Sequence, residues 1–439
     1  LVSDWSSDVC SSDLAHTQTA QRLAIHGGTP ARQQPDPPMF PGGMIIAEEE
    51  EAAVLEVLRS KRLFRFYGPS GGESKVEALE NAFAASIGVK RALAVTSGTA
   101  ALICGLQGIG VGPGDEVIVP AYTWIATATA VLAVGGIPII AEVDESLTLD
   151  PADVAAKITP YTKALMPVHM RGAPSRMDEL MALARQHNLR VVEDCAQGNG
   201  ASYKGQRLGS IGDVGCFSLQ FSKIITTGEG GVMTTDDESV WQRAFMFHDV
   251  SAWNRLELPE EEILWGANFR MSELPAAVGL VQLQRLDGLV DAIQTRQRML
   301  LGGIAETAAQ RGVTFRDVPD PAGDSGIHVF FFVETPEKAE QITAALRAEN
   351  VSAGQLYRPD RRDFHVYAHW FPVLEKRTWT ADGGPWRWAR REIDYATDMC
   401  PRSLDLLGRA VMLNVNPLLS NSEMEETIDG VNKVLDALA

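Results

Sequence analysis

Cysteine is scarce. The five residues Cys10, Cys104, Cys195, Cys216 and Cys400 form no CxxC pair and no metal-ligand spacing. This excludes a disulfide-framed secreted module and a cysteine-built zinc site, so no metal is expected. It fits a reduced, cytoplasmic protein with buried thiols. No run of about 18 apolar residues occurs, so no membrane span is expected. Positive charge is in deficit: 39 Lys plus Arg stand against 57 Asp plus Glu, a formal net charge of −18. Such a surface repels nucleic acid and anionic membrane and excludes both as partners. It gives an anionic ligand no long-range steering, so any phosphate must be held by local geometry.

What is present is ordinary for a soluble globular chain, with 45% apolar and 22% charged residues. At 439 residues it is too long for one core, and two domains are expected. Residues 1–14 (LVSDWSSDVCSSDL) have no apolar segment of the signal-peptide kind and read like translated sequencing adaptor, so they are set apart from the fold. Residues 15–79 make an N-terminal arm, extended over 28–43, followed by helices at 48–58 and 75–87. Short apolar strands then alternate with helices. Strands are expected at 92–95, 117–119, 137–141, 165–168, 191–193, 215–218 and 231–234, with helices at 97–106, 127–134 and 177–187 between them. That alternation predicts an α/β fold, a mostly parallel sheet covered on both faces, over residues 80–290. A helical stretch at about 270–310 links it to a smaller C-terminal α/β domain, 291–439, with a strand at 328–332 and helices at 338–350 and 423–438.

Ligands of such sheets sit beyond the carboxyl ends of the strands, so the residues following each strand carry the functional reading. After Val95 comes Ser97-Gly98-Thr99, a helix opening whose N–H groups and dipole suit a phosphate, or merely a capped helix. After Val192 comes Glu193-Asp194. A buried Asp194 facing a pyridine nitrogen would keep that nitrogen protonated, although an aspartate there also serves as a helix cap or metal ligand. After Ser218 comes Lys223, in an apolar, glycine-flanked loop where burial makes an amine nucleophilic, unless it is a surface lysine in a turn. The glycines of 105–112 lack the strand–turn–helix frame of a dinucleotide site.

The string FSLQFSKIITTGEGGV around Lys223 resembles the cofactor-lysine motif of the DegT/StrS family of sugar aminotransferases. In order with it stand SGTAAL, GDEVIVPAYTWIATATAV, VHMRG, VVEDCAQGNGASYKG and NFRMSELPAAVGLVQLQRLD, covering about residues 50–290. The resemblance implies the pyridoxal 5'-phosphate transferase fold of type I, with a large mostly parallel sheet domain and a smaller C-terminal domain. It implies that Lys223 carries the cofactor, Asp194 meets its pyridine nitrogen and Trp124 stacks on its ring. Gly98, Thr99 and Ser218 would hold its phosphate, and Gln197 would lie by its phenolic oxygen. Asn268 and Arg270 would reach the phosphate of a neighbouring subunit, in a homodimer with shared sites. The implied reaction passes an amino group from Glu or Gln to a keto acceptor, a keto sugar or nucleotide-linked keto sugar. A lyase, dehydratase or cyclase on the same scaffold is the alternative, although relatives that dehydrate have histidine in place of the lysine kept here.

The chain departs from the family pattern at two places. Arg171 stands in VHMRG where an aromatic or apolar residue is usual, and the usual C-terminal strings give way to residues 356–370. Arg171 and its neighbour His169 are therefore the candidate substrate residues. A guanidinium after a strand end suits an anionic acceptor, with an ion pair to Asp178 as the structural alternative.

Overall fold

The computed structural model describes residues 22–38, 40–41, 45–66, 73–250 and 255–439. The adaptor-like residues 1–14, and part of the arm, lie outside these. The arm residues that are described form one short 3-10 turn at Ala24–His26 and otherwise run irregularly over the smaller C-terminal sheet. Asp36 accepts from the Ser352 N–H at 2.7 Å, and the Asn416 amide donates to the carbonyls of Pro37 and Pro38.

The first helices are α1 (Glu48–Ser60) and α2 (Lys75–Ile87). Ser74 caps α2 by accepting from the N–H groups of Val76 and Glu77. Next come β1 (Arg91–Val95), α3 (Gly98–Gly108), β2 (Glu116–Pro120), α4 (Ala126–Ala133) and β3 (Ile137–Ala141). They are followed by α5 (Pro151–Lys157), β4 (Thr162–Leu165), α6 (Met177–His187), β5 (Arg190–Asp194), β6 (Val214–Ser218), β7 (Gly231–Thr235) and α7 (Glu238–His248). These strands form one sheet in the order β1-β7-β6-β5-β4-β2-β3. All neighbours run parallel except β7, which is antiparallel to both β1 and β6. Strands β2, β3, β6 and β7 are buried at every residue, the pattern of a sheet with helices on both faces.

Helix α8 (Glu273–Gln310) is a single rod of 38 residues, about 57 Å long at 1.5 Å per residue. Pro275 does not break it, because the first turn has no intrahelical acceptor for the missing N–H. Gly279 lets it approach α2, since a Cβ there would lie 3.0 Å from Thr227 and 3.1 Å from Leu79. A second sheet follows, from β8 (Thr314–Phe315), β9 (His328–Phe332), β10 (Ala353–Gln355) and β11 (Ala410–Asn414), antiparallel in the order β8-β9-β11-β10. Helices α9 (Pro336–Ala348), α10 (Pro401–Arg409) and α11 (Asn421–Leu438) accompany it.

Two expectations need correction. The strand expected at 165–168 is assigned at Thr162–Leu165. The chain stays extended beyond it, pairing with β5 through His169 N–H to the Asp194 carbonyl and Asp194 N–H to the Pro167 carbonyl. Pro167 has no N–H, so the regular ladder stops there. The sequence reading also left out β11, the strand that pairs β9 on one side and β10 on the other.

Candidate active site

A cavity of about 400 Å³ opens at the carboxyl ends of β1, β2, β5 and β6. Its wall includes Gly98, Thr99, Trp124, Asp194, Gln197, Ser218 and Lys223, which the sequence scatters over more than 120 positions. A second cavity of about 410 Å³ adjoins it and shares Gln197, Ser222, Lys223 and His365. Lys223 thus stands between two chambers.

At one end, α3 begins against the end of β6. A Cβ on Gly98 would lie 2.7 Å from the Cβ of Ser218, so the approach requires glycine. Ser97 caps the helix by accepting from the Ala100 N–H at 3.0 Å. The first N–H groups of α3 have no intrahelical acceptor, which leaves them for an anion. The Ser218 hydroxyl lies at the same end, accepting from the Gln220 N–H at 3.3 Å.

Asp194 closes the floor and is 4% exposed. Its Oδ2 accepts from the Thr127 hydroxyl at 2.8 Å and its Oδ1 from the Ala196 N–H at 3.1 Å. Thr127 is held in turn by the Thr123 hydroxyl at 2.7 Å. Burial pushes the Asp194 carboxyl above its ordinary range, opposed by these two hydrogen bonds and by Lys223. A buried carboxylate with so little positive charge around it is suited to a cationic ring nitrogen.

The loop bearing Lys223 is pinned at its base. The Leu219 N–H donates to the Gly230 carbonyl and the Phe221 N–H to the Gly228 carbonyl, both at 2.9 Å. Buried Gln282 of α8 accepts from the Thr226 N–H at 3.2 Å. Desolvation, and then the Arg171 charge, hold the Lys223 ammonium below its ordinary value, against Asp194 and Glu229. Trp124 is 46% exposed, with its ring 5.0 Å from that of His365. The donor set fits pyridoxal phosphate: an anion cradle at one end, a buried carboxylate at the floor, an aromatic wall and an amine of lowered basicity.

Four candidates need separate placement. His169 does not line either cavity and is fully buried. Its Nδ1 accepts from the Ser175 N–H at 3.1 Å, and its Nε2 is 3.0 Å from Glu193 Oε2. Both ring nitrogens are occupied, so the substrate role expected for His169 is corrected to an internal one. Glu193 also accepts from the N–H groups of Gly209, Ile211 and Gly212, which commits the cluster of His169, Glu193 and Cys195 to the fold rather than to a metal. Arg171 lines the second cavity, in the left-handed region at φ 56°. Its N–H donates to Gln197 Oε1 at 3.1 Å and its Nε to the Tyr122 hydroxyl at 3.2 Å. Asp178, its alternative partner, pairs with Lys204 instead. Asn268 and Arg270 line neither cavity of their own chain. Asn268 is exposed, and Arg270 pairs with Asp249 at 2.6 Å.

The sequence reading missed four groups at the site. Thr127 and Thr123 hold the floor. In the second cavity, Asn199 Oδ1 and His328 Nδ1 are buried with no partner among the described residues. Asn199 and Thr127 both fall within motifs that were read, but neither stands at a strand end, the position searched.

The DegT/DnrJ/EryC1/StrS aminotransferase family model matches residues 44–383. The L-glutamine:2-deoxy-scyllo-inosose aminotransferase of Streptoalloteichus tenebrarius is 34% identical over 429 residues, 94% of this chain and 97% of that protein. The GDP-perosamine synthase of Caulobacter vibrioides is 43% identical over 224 residues, 50% of this chain and 58% of that one. The crystal structure of 3-amino-5-hydroxybenzoic acid synthase superposes with a TM-score of 0.75 at 29% identity, covering 92% of this chain and 100% of that one. The fold, the cavity and these likenesses agree: the chain belongs to the DegT/DnrJ/EryC1/StrS aminotransferase family and is an aminotransferase whose cofactor is pyridoxal phosphate.

Proposed function

We propose that the protein transfers an amino group from glutamate or glutamine to a keto sugar. The observation that carries this reading is Lys223 at the junction of two cavities, one shaped for the cofactor and the other lined by unpaired polar atoms. Asn199 Oδ1 and His328 Nδ1 suit a hydroxyl-rich acceptor, since a buried polar atom without a partner costs free energy that a substrate hydroxyl recovers. Relatives named for aminating an inosose and for making a GDP-linked amino sugar point the same way.

When bound, the cofactor supplies an electron sink for the bond broken at the donor's α-carbon. The chain supplies the rest. Gly98, Thr99 and Ser218 would hold its phosphate, Trp124 would cover its ring and Gln197 would meet its phenolic oxygen. Asp194, held by Thr127 and the Ala196 N–H, would keep the ring nitrogen protonated. The lowered basicity of Lys223 lets its Nζ take a proton from one carbon and return it to another. Arg171, with no carboxylate partner among the described residues, faces the acceptor side. His365, anchored by Nδ1 to Asp363 at 2.8 Å, lines both chambers, and desolvation holds its imidazole below its ordinary pKa against the pull of Asp363.

The protein works as a homodimer in the cytoplasm. Asn268 is exposed and follows a segment with Trp265 82% and Leu264 44% exposed, which suits cover by a second copy whose cofactor Asn268 then reaches. The four described cysteines are buried and free, as suits a reducing compartment. No described helix is long and apolar enough to cross a membrane.

The test is a half-reaction. Purified holoenzyme mixed with glutamate or glutamine alone should change its cofactor absorption once and stop, and a keto sugar should reverse the change. If neither donor alters the spectrum, the proposal is wrong.

A further inference from the structure

Arg316 follows β8 and is buried, with its backbone N–H donating to the Phe330 carbonyl at 3.1 Å. Its guanidinium meets carbonyls rather than carboxylates. Nε donates to the Ser146 carbonyl and Nη2 to the Met170 carbonyl at 2.9 Å, and the centre of the Phe330 ring lies 5.2 Å away. Among the described residues it has no carboxylate at ion-pair distance. The titratable groups that face it are Asp324, Tyr122, Asp144 and Arg171. Asp324 is engaged by Gln297 and by the Gly326 N–H. Burial pulls the Arg316 guanidinium down to about 10, against the pull of Asp324. Placing a charge there is costly, so what its hydrogen bonds hold bears on its purpose.

The Met170 carbonyl and the Arg171 N–H belong to one peptide group. Arg316 holds one end of it, and the other end donates to Gln197 Oε1 at 3.1 Å. A peptide N–H can only donate, so the atom it meets is the amide oxygen. That fixes which way the Gln197 amide points and leaves its NH2 for the cavity wall it forms. A cationic donor on the carbonyl polarises the peptide and strengthens what its N–H donates, as hydrogen bonds in series do. The turn is also constrained by its backbone. Arg171 has φ 56° and Gly172 φ 84°, and the Ser325 N–H donates to the Gly172 carbonyl at 3.1 Å.

We infer that Arg316, which lines neither cavity, is a positioning residue for the cofactor: through the Met170–Arg171 peptide it fixes Gln197 so that the amide NH2 donates to the phenolic oxygen. The inference rests on the proposed place of Gln197 beside that oxygen. A donor there stabilises the negative charge left on the oxygen once the cofactor–lysine unit loses its proton. It therefore lowers the pH at which the cofactor absorption changes. Loosening any link from Arg316 to Gln197 raises that pH.

The test is a spectral pH titration of holoenzyme without substrate. Gln197→Met removes the donor and should raise the midpoint of the cofactor band by about one pH unit, roughly the worth of one hydrogen bond to a charged group. Arg316→Met should move it in the same direction by about half as much. In the Gln197→Met background Arg316→Met should add nothing, whereas a through-space effect of its charge would persist. Arg316→Lys, which keeps a cationic donor, should hold the midpoint close to the parent's. Ser325→Ala removes a hydroxyl that is buried at the same joint without a partner among the described residues, and should leave the midpoint where it is. If Arg316→Met does not fold, Arg171→Gly and Arg171→Val carry the test. Both lack the guanidinium, but valine resists the left-handed turn, so the valine variant should have the higher midpoint. An unmoved midpoint in Arg316→Met, shifts that add in the double variant, or equal midpoints in the two Arg171 variants overturns the inference. An unmoved midpoint in Gln197→Met defeats the place given to Gln197, and the role of Arg316 with it.

Discussion

Replacing Asp194 by asparagine separates charge from shape at the floor of the cofactor cavity. The carboxylate accepts two hydrogen bonds, from Thr127 at 2.8 Å and from the Ala196 N–H at 3.1 Å. An asparagine can keep the second with its carbonyl. Its amide then faces Thr127, whose hydroxyl can turn to accept because it already shares a hydrogen bond with Thr123. Folding should therefore be nearly unaffected, and because Asp194 is buried the change removes a desolvation cost as well. What disappears is the charge that stabilises a protonated ring nitrogen. At an effective dielectric of about 20, unit charges about 4 Å apart attract by about 4 kcal/mol, which is roughly three factors of ten in rate. Stopped-flow measurement of the donor half-reaction should show a loss of about that size, with the melting temperature within a few degrees of the parent. A holoenzyme variant that reacts within tenfold of the parent would refute the assignment of Asp194 to the ring nitrogen.

The other expectations are as direct. Borohydride reduction of holoenzyme and peptide mapping should label Lys223, and a label on Lys163 or Lys204 would move the cofactor elsewhere. Arg171→Met should lower kcat/KM for the acceptor by about ten- to hundredfold, the worth of a charge-assisted contact, with the donor half-reaction less affected. A fall in melting temperature with unchanged acceptor kinetics would make Arg171 structural. Mixing inactive Lys223→Ala and Asn268→Ala subunits should restore activity, and confirmed heterodimers without activity would place Asn268 at its own site. Burial holds the His248 imidazole down to about 3, against about 6.5 in an unfolded chain. The unfolded state then takes up a proton that the folded state refuses. Its contribution is intact above about pH 6.5 and declines toward pH 3, by on the order of 4 kcal/mol in full. Melting temperatures from pH 7 to 4 should fall less steeply in His248→Gln, and parallel slopes would contradict this.

Much of the larger sheet was legible because its strands are short, carry apolar runs, and are set off by helices or glycine-containing loops. Strand β11 was not, for a local reason: α10 ends at Arg409 and β11 begins at Ala410, with no glycine or proline after the helix to mark the change. The reading of Arg171 and His169 shows the same limit within the site. Both follow a strand, and sequence position alone makes both candidates. The structure separates them at β5, where Glu193 captures the imidazole, whereas the guanidinium donates to the Tyr122 hydroxyl and meets no carboxylate among the described residues. Thr127 is the converse case. It stands inside a helix, and its role depends on a carboxylate 67 positions later that only the parallel sheet brings within 2.8 Å.

The departures from the family pattern have a physical order that follows from this. The groups facing the cofactor are fixed by a cradle that admits only glycine at position 98, and by a floor whose carboxylate needs both its donors, so the sequence there keeps its familiar form. The second cavity is assembled from the turn carrying Arg171, the arm at Phe40 and Pro41, and the small sheet at His328 and Asn414. On the proposed reading these segments answer to the substrate rather than to the cofactor. Arg171 keeps a left-handed conformation, uncommon for a residue with a side chain, and its backbone is tied to Gln197, a residue of the cofactor wall. A guanidinium carried on so constrained a turn, with its Nε donating to the Tyr122 hydroxyl, is positioned for one substrate geometry.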